Sequence, residues 1–173
     1  MSSTLYVDKI VEKTSAAGVH IPGHVIQVVS VTKSDTFSSA NTSFVDVTGL
    51  SAAITPTSTS SKILALVSVN HSDTTERSYV RLVRGSTAIA IGDAAGNRPR
   101  ISSSAVHNMT QYSIYNSSFN YLDSPATTSA TTYKIQIMSL GATALVNRTE
   151  DDRDTAQYEP RTISTITLME IAQ

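Results

Sequence analysis

The chain has 173 residues and a mass of 18.5 kDa, which is the size of a single domain. Its formal net charge of -1 and 16% charged residues provide no basic field to hold a polyanion, so nucleic acid is disfavoured as the main partner. The 26 serines and 23 threonines favour strands and turns over helices, and the lack of Cys excludes disulfides, thiolate metal sites and cysteine nucleophiles.

The first 23 residues are predicted to form an arm in front of the globular domain. Residues 5–11 have the pattern of one short strand, and a turn at Ala16-Ala17-Gly18 follows it. No apolar run follows a basic region here, and no later stretch approaches 18 apolar residues. The sequence therefore predicts neither a signal peptide nor a transmembrane helix. The expected boundaries are 1–23 for the arm and 24–173 for the domain.

Alternation with a period of two continues through the rest of the chain, as in Val25, Gln27, Val29 and Val31. We predict ten short strands, over residues 25–31, 43–48, 51–55, 63–69, 77–84, 86–91, 101–109, 111–122, 131–140 and 161–171. Clusters of Gly, Pro, Asn, Asp and Ser separate them, and no segment sustains a helical pattern. Strands that follow strands exclude a parallel βαβ sheet, which leaves antiparallel sandwiches, barrels and jelly rolls.

Four of the ten aromatic residues lie within residues 112–121. A period of two places Tyr115, Phe119 and Tyr121 on one face of a strand and Tyr112 on the other. Aromatic side chains are enriched in the centres of subunit interfaces, but an ordinary domain core explains the cluster almost equally well. We predict that at least one of the three points towards a neighbouring subunit, so that Phe119→Ala shifts the assembly towards monomer.

Polar candidates for a binding site are few. The histidines His20, His24, His71 and His107 lack a metal-binding spacing, and the acidic segment 150–154 lacks the pattern of a calcium loop, so no metal and no cofactor is predicted. Asn97, Arg98 and Arg100 lie in one exposed turn that could meet an acidic glycan or a neighbouring subunit, although a solvated hairpin is favoured. No G-x-S-x-G, H-E-x-x-H or P-loop motif is present in the sequence, and a paired-carboxylate glycosidase site stays open as an alternative. We predict that the chain is not an enzyme.

Several segments resemble a module of tail-fibre and virion proteins from marine and cyanobacterial phages. They include Val25-Ile26-Gln27-Val28-Val29-Ser30, Thr48-Gly49-Leu50, Ile54 to Leu64, Val80 to Ser86, Tyr121 to Pro125, Thr132 to Ile137 and Thr165 to Ile171. The strand order resembles the ten-stranded jelly roll of the tumour-necrosis-factor and complement-globular-domain superfamily. This resemblance, which covers about residues 24–173, implies an antiparallel jelly-roll sandwich that forms a homotrimer.

The leading segment, Thr4 to Ile10, is similar to the connector that precedes such knobs in phage fibres. The resemblance implies attachment to the particle through Leu5, Tyr6, Val7 and Ile10. With about 23 residues before the knob, a short fibre or a capsid decoration protein is expected. The expected partners are two further copies and other virion proteins, without membrane insertion. A tail module that binds host surface glycan, or a carbohydrate-active enzyme on the same scaffold, is the alternative.

Overall fold

The computed structural model describes residues 21–74, 77–104 and 111–173. Eleven strands and no helix lie in these residues. They are β1 (Val25–Lys33), β2 (Phe37–Ser39), β3 (Val45–Ile54), β4 (Lys62–Asp73), β5 (Ser78–Arg84), β6 (Thr87–Ile89), β7 (Ser103–Ser104), β8 (Tyr115–Asp123), β9 (Thr131–Ser139), β10 (Ala144–Val146) and β11 (Ser164–Ile171). No helix capable of crossing a membrane is found in this part of the chain.

The strands form two antiparallel sheets. In the first sheet, β1 pairs with β11, β11 with β4, and β4 with β8 on its other side. The short strand β10 continues beside the far end of β4, and β2 pairs with β10. In the second sheet, the order is β3-β9-β5-β6, and β7 also pairs with β5.

The pairing is nested, as in one long hairpin that has been rolled up. The first and last strands pair with each other (β1 with β11), and the strands inwards from them pair in turn: β2 with β10, β3 with β9, β4 with β8, and β5 with β6 and β7. The pairs β1–β11, β2–β10 and β4–β8 lie in the first sheet and the pairs of β3 and β5 in the second, which gives a two-sheet jelly roll. The predicted all-β antiparallel sandwich is thus confirmed.

The core lies between the two sheets and follows from the alternation of side chains along each strand. The inward positions of β4 and β11 carry Ile63, Ala65, Val67, Ile166 and Leu168, which are buried against inward residues of the second sheet. The opposing residues include Leu50, Ile54, Leu82, Tyr133, Ile135 and Ile137. Burial of these side chains is the main force that holds the two sheets together.

The structure differs from the predicted strands in four places. The predicted strand 111–122 begins only at Tyr115, so Tyr112 lies before β8 and not on its other face. Segments 43–48 and 51–55 belong to one strand, β3, which has a register shift between Asp46 and Ser51. Gly49 lies in this irregular stretch with a φ of +82°, a left-handed conformation that favours glycine. Strands β2 and β10 were not predicted, because three residues are too few to show a period. The predicted strand 101–109 contains only β7, and residues 105–109 lie outside the described residues.

The first described residues, 21–24, lie beside the C-terminal end of the chain. The Gly23 amide donates to the Ala172 carbonyl at 2.8 Å, and the Ala172 amide donates to the His24 carbonyl at 3.0 Å. Ile21 therefore lies at the end of the sandwich where β1 begins and β11 ends. The long segment between β10 and β11 lies at the opposite end. Whether residues 1–23 form a separate arm stays a prediction.

Candidate functional site

The most unusual surface of the molecule is the solvent side of the first sheet, which we call the outer face. Alternation along β1, β11, β4 and β8 directs every second side chain away from the core. Lys62, the first residue of β4, is the one charged side chain among them, and it lies at the end of the sheet beside Ile171. The fourteen outward side chains that make up the outer face carry no charge. They are Val28, Ser30, Thr32, Leu64, Leu66, Ser68, Asn70, Asn116, Ser118, Asn120, Leu122, Thr165, Thr167 and Met169.

The apolar members of the outer face form a row across all four strands. The register aligns Val28 with Met169, Met169 with Leu64, and Leu64 with Leu122. Leu66 lies one row further on. Val28 is 54% exposed, Leu122 48% and Leu66 37%, which is high for large apolar side chains. A shallow depression of about 450 Å³ lies beside this row and is lined by Leu66, Ser68, Ser118, Asn120, Thr165 and Thr167.

Six of the nine polar residues of the outer face form side-chain hydrogen bonds: Ser30, Ser68, Asn70, Asn116, Ser118 and Thr167. The hydroxyl groups of Ser30 and Thr167 are hydrogen-bonded at 2.8 Å. The Asn116 amide donates to the Ser68 hydroxyl at 2.8 Å and to the Asn70 side-chain oxygen at 3.1 Å. Because these groups already have partners, covering this surface would leave few unpaired polar atoms, which is the main cost of burying polar side chains.

The solvent side of the second sheet has the opposite character. Lys134 and Gln136 both bond the Asp46 carboxylate at 2.7 Å, and Arg81 donates to Gln136 at 2.8 Å. The hydrogen bond from Lys134 is the largest influence on Asp46 and lowers the pKa of its carboxyl group. The Arg81 guanidinium also lies 3.9 Å from the centre of the Phe44 ring. One sheet of the sandwich thus presents charged networks to water, while the other, apart from Lys62 at one end, presents an uncharged surface.

The three aromatic residues predicted for an interface lie on β8, on the side that faces the core. Phe119 is partly buried and packs against the core cluster. Tyr115 is half-buried, while Tyr121 remains 37% exposed at the rim of the sandwich. They share one face of the strand, as the spacing predicted. Their role at a subunit interface stays a prediction, and Tyr121 is the member of the three whose side chain is most open to a neighbour.

The predicted loop residues Asn97, Arg98 and Arg100 are exposed and lie between β6 and β7. The Arg100 guanidinium donates to the Gly92 carbonyl at 2.7 Å, and the Arg98 amide donates to the Ala95 carbonyl at 3.3 Å. Arg100 therefore fixes the base of its own loop, whereas the Arg98 side chain is placed at the surface. The attachment candidates Leu5, Tyr6, Val7 and Ile10 lie outside the described residues.

Of the two histidines in the described residues, His71 has the more distinctive position. It is fully buried, with its Nδ1 atom 2.6 Å from the Ser78 hydroxyl and its Nε2 atom 2.8 Å from the Ser117 hydroxyl. Desolvation lowers the pKa of this imidazole to about 4, so it is neutral at physiological pH. His20 and His107 lie outside the described residues, and no group of three or more potential metal ligands occurs in the remainder.

Two buried carboxylates stabilise the end of the sandwich where the chain enters. Glu170 is fully buried and accepts hydrogen bonds from the Thr57 amide, the Thr57 hydroxyl and the Gln27 side chain, at 2.5 to 2.7 Å. Desolvation raises its pKa, but the donated hydrogen bonds outweigh that effect, so the net pKa is lowered. Asp123 binds Arg84 through both carboxylate oxygens and accepts the Tyr133 hydroxyl at 2.6 Å. Both networks therefore have a structural role.

The acidic segment 150–154 is crosslinked by arginines within the loop between β10 and β11. Arg153 binds Glu159 at 2.6 Å, and Arg161 binds Asp152 at 2.7 Å. Beside it, the rings of Tyr112 and Tyr158 stack with their centres 5.0 Å apart. Tyr158 is 48% exposed. The loop is thus an ordered polar surface with an accessible aromatic ring.

Sequence reasoning missed the outer face as a unit. Its signal was present in the sequence, because the alternate positions 28–32, 64–70, 116–122 and 165–169 carry only uncharged polar and apolar residues. Recognising it required the strand register, since the four strands are distant in the chain and become neighbours only in the jelly roll.

No family model matches the sequence, and no curated protein matches it either. Solved structures of the VP2 protein of infectious bursal disease virus are similar over nearly the whole chain. A mutant VP2 in T=1 particles has a TM-score of 0.39 and 13% identity, covering 99% of this chain and 45% of that chain. A second T=1 particle structure, at 2.6 Å, has a TM-score of 0.39 and 16% identity, covering 100% and 41%. This chain thus spans less than half their length, and at these values the likeness assigns neither family nor function.

Proposed function

We propose that this chain is a non-enzymatic structural subunit of a bacteriophage particle, and that it assembles as a homotrimer through its outer face. The observation that carries the proposal is the contrast between the two sheets. A sheet face that remains exposed to solvent typically carries charged side chains, as the second sheet does around Asp46 and Lys134. The fourteen residues of the outer face carry none, with Lys62 only at its margin, and the exposed apolar row and paired hydroxyl groups suit contact with protein.

A second copy of the chain is the partner that this chemistry fits best. Two uncharged surfaces meet without like-charge repulsion and without a buried ion in need of a counter-ion. A basic or acidic partner would lose the solvation of its charges on this face and gain no ion pair. The internal hydrogen bonds of Ser30, Thr167 and Asn116 survive such contact, because they lie within one subunit.

The size of the outer face bears on how the subunits meet. Four strands about 4.8 Å apart, each with seven residues rising about 3.3 Å, cover roughly 450 Å². A stable interface buries about 800 Å² on each partner. The outer face therefore supplies about half of the required area, and the assembly needs further surface from other elements of the subunit.

The place in a phage particle is supported by the sequence resemblance to phage fibre and virion proteins. The predicted attachment residues precede Ile21, which lies at one end of the sandwich. Deleting residues 1–20, which retains the hydrogen bond between Gly23 and Ala172, should leave a soluble oligomer that no longer enters particles. In a matched full-length variant, serine replaces Leu5, Tyr6, Val7 and Ile10. This variant should also form a soluble oligomer that does not enter particles.

The test is to assemble particles with each variant and to measure its copy number by quantitative mass spectrometry. We expect the wild-type chain in multiples of three per attachment site and both variants absent. Normal incorporation of the truncated chain would refute attachment through the arm. Absence of the wild-type chain from purified particles would refute the proposal as a whole.

A receptor-binding role on the tail is the second candidate, and the Tyr158 loop favours it. The loop lies at the end of the sandwich opposite to Ile21, so attachment through the arm would direct it away from the particle. Exposed aromatic rings beside ordered carboxylates and arginines suit glycan recognition. A glycan array tests this role. Binding by the wild-type chain should be abolished by Tyr158→Ala and left intact by the control Arg98→Ala. Absence of any glycan binding would exclude it.

A further inference from the structure

A second depression, of about 340 Å³, lies at the rim of the second sheet, where β5 ends and β9 begins. Its volume is at the lower end of the range for small-molecule sites. The Gly85 amide donates to the Thr132 carbonyl at 2.8 Å and fixes the two strand ends that form one wall, while the loop between β8 and β9 forms the other. We call this depression the Arg84 pocket, and its lining includes Arg84, Thr127, Ala130, Thr131 and Thr132.

The Arg84 guanidinium is held in place through one of its three nitrogen atoms. Nη1 donates to the two carboxylate oxygens of Asp123 at 2.9 and 2.8 Å, and to the Ser124 carbonyl at 3.3 Å. The Asp123 carboxylate is buried and also accepts the Tyr133 hydroxyl group at 2.6 Å. These contacts fix the guanidinium before any ligand arrives.

The opposite edge of the same guanidinium is open. Nε and Nη2 of Arg84 have no hydrogen-bond partner in the described part of the chain, and the side chain is 29% exposed. The N–H groups of these two nitrogens are parallel and match the two oxygens of a carboxylate. Because the side chain is already fixed, little rotamer entropy is lost when an anion binds along this edge.

Three threonine hydroxyl groups in the Arg84 pocket have unused hydrogen-bonding capacity. The Thr127 hydroxyl oxygen accepts the Ser129 amide at 3.0 Å, so its proton is available for donation. The Thr131 hydroxyl donates to the Ser129 carbonyl at 3.0 Å, so its lone pairs are available. The Thr132 hydroxyl has no partner among the described residues. Donors and acceptors of this kind suit the hydroxyl groups of a sugar ring.

We infer that the Arg84 pocket binds a sugar that carries a carboxylate group, such as a uronic acid. The carboxylate accepts hydrogen bonds from Nε and Nη2 of Arg84, and the ring hydroxyl groups bond the threonines. Asp123 lies on the far side of the guanidinium, so the charge of the ligand is nearer to Arg84 than to this carboxylate.

Other anions fit the Arg84 pocket less well. A phosphate group carries more negative charge than a carboxylate, whereas Arg84 is the one cation among the lining residues and Asp123 already balances part of its charge. An acidic side chain of a protein would reach Arg84 but would leave the threonine hydroxyl groups without partners. The inference goes beyond the proposed function and does not depend on how the subunits assemble.

Nuclear magnetic resonance titration of the full-length chain tests the inference. The probes are glucuronate and glucuronamide, which have the same ring, but the second lacks the charge. We expect glucuronate to bind about ten-fold or more tightly, because a pair of charge-assisted hydrogen bonds is worth at least that factor. The amide signals that shift should be those of Gly85, Thr131 and Thr132 and of the loop between β8 and β9.

Two variants test the Arg84 pocket itself. Arg84→Lys keeps a positive charge beside Asp123 but lacks the Nε–Nη2 edge, so the preference for glucuronate should disappear. Ala130→Phe fills the pocket without altering the ion pair, so it should abolish binding and keeps the test decisive if Arg84→Lys impairs folding. The controls Arg98→Lys and Tyr158→Ala lie outside the pocket and should bind glucuronate as the wild type does.

Three results would overturn the inference: equal binding of the two probes, glucuronate binding that Ala130→Phe retains, or shifted signals that lie elsewhere in the chain. Tighter binding of inorganic phosphate or of N-acetylglutamate at the same signals would overturn the assignment to a sugar acid. None of these results bears on self-assembly or on entry into particles, so the proposed function would be unaffected.

Discussion

Replacing Leu66 by lysine is expected to dissociate the assembly while the subunit stays folded. Leu66 lies in the outer face beside its central depression. In the free subunit the new ammonium group reaches water, so the free energy of unfolding should change by less than about 0.5 kcal/mol. In the assembly, each ammonium group would be buried among outer-face residues that include no carboxylate. If each buried ion costs about 3 kcal/mol, the three copies together destabilise the trimer by roughly 9 kcal/mol. The formation constant of the trimer should therefore be roughly a million-fold lower.

The assay is sedimentation velocity over concentrations from micromolar to nanomolar, with urea denaturation to confirm that the subunit is folded. Thr132→Lys is the matched control, because it adds the same charge to the solvent side of the second sheet. The control should sediment as the wild type does, and Leu66→Lys should sediment as a folded monomer. If Leu66→Lys stayed fully assembled at nanomolar concentration, residue 66 would face water in the oligomer and the argument from the outer face would fail.

Three further predictions concern single residues. Glu170→Gln should lower the free energy of unfolding by about 2 kcal/mol, because the new side-chain NH2 group would face the Thr57 and Gln27 groups that donate to the carboxylate. An unchanged urea midpoint at equal protein concentration would contradict this. The pKa of His71 is about 4 in the folded chain and 6.5 in the unfolded chain, so the unfolded chain takes up a proton first as the pH falls. The free energy of unfolding should therefore decrease by roughly 3 kcal/mol between pH 6.5 and pH 4. His71→Gln should flatten that decline, and urea titrations at several pH values measure it. The sequence alone predicts that Phe119→Ala shifts the assembly towards monomer. Because Phe119 packs against the core and is only partly buried, we instead expect this change to lower subunit stability by about 2 kcal/mol, less than the roughly 3 to 5 kcal/mol of a fully buried Phe, and to leave the sedimenting mass unchanged. Tyr121→Ala should lower the mass, and the reverse pattern would place Phe119 at the interface.

Most of the sandwich could be predicted from the sequence because long strands show a clear period. In β4, for example, Ile63, Ala65 and Val67 belong to an alternation of buried and outward residues that runs from Lys62 to His71. The three-residue strands β2 and β10 have no such length, and they form because β10 continues the pairing beside β4. Strand β3 was divided in the prediction because Gly49 interrupts its alternation. Such features depend on contacts with distant strands, which a local pattern does not contain.

The candidate site was harder to predict, because β8 carries apolar residues on both sides. Period two correctly grouped Tyr115, Phe119 and Tyr121 on one face, but it contains no information about which face meets the core. Phe119 meets the core because Ser117 and Asp123, on the same side, are buried beside His71 and Arg84. The prediction that all three belong to one surface was therefore sound, while the opposite side of the strand, with Leu122, contributes to the outer face.

The most direct test of the central claim is the crystal structure of the purified, assembled protein. The account predicts three copies around one axis, with the outer face of each covered by a neighbour and Leu66 and Thr167 out of contact with solvent. The charged surface around Asp46 and Lys134 should remain open to water. An assembly held together through that charged surface, with the outer face exposed, would contradict the account.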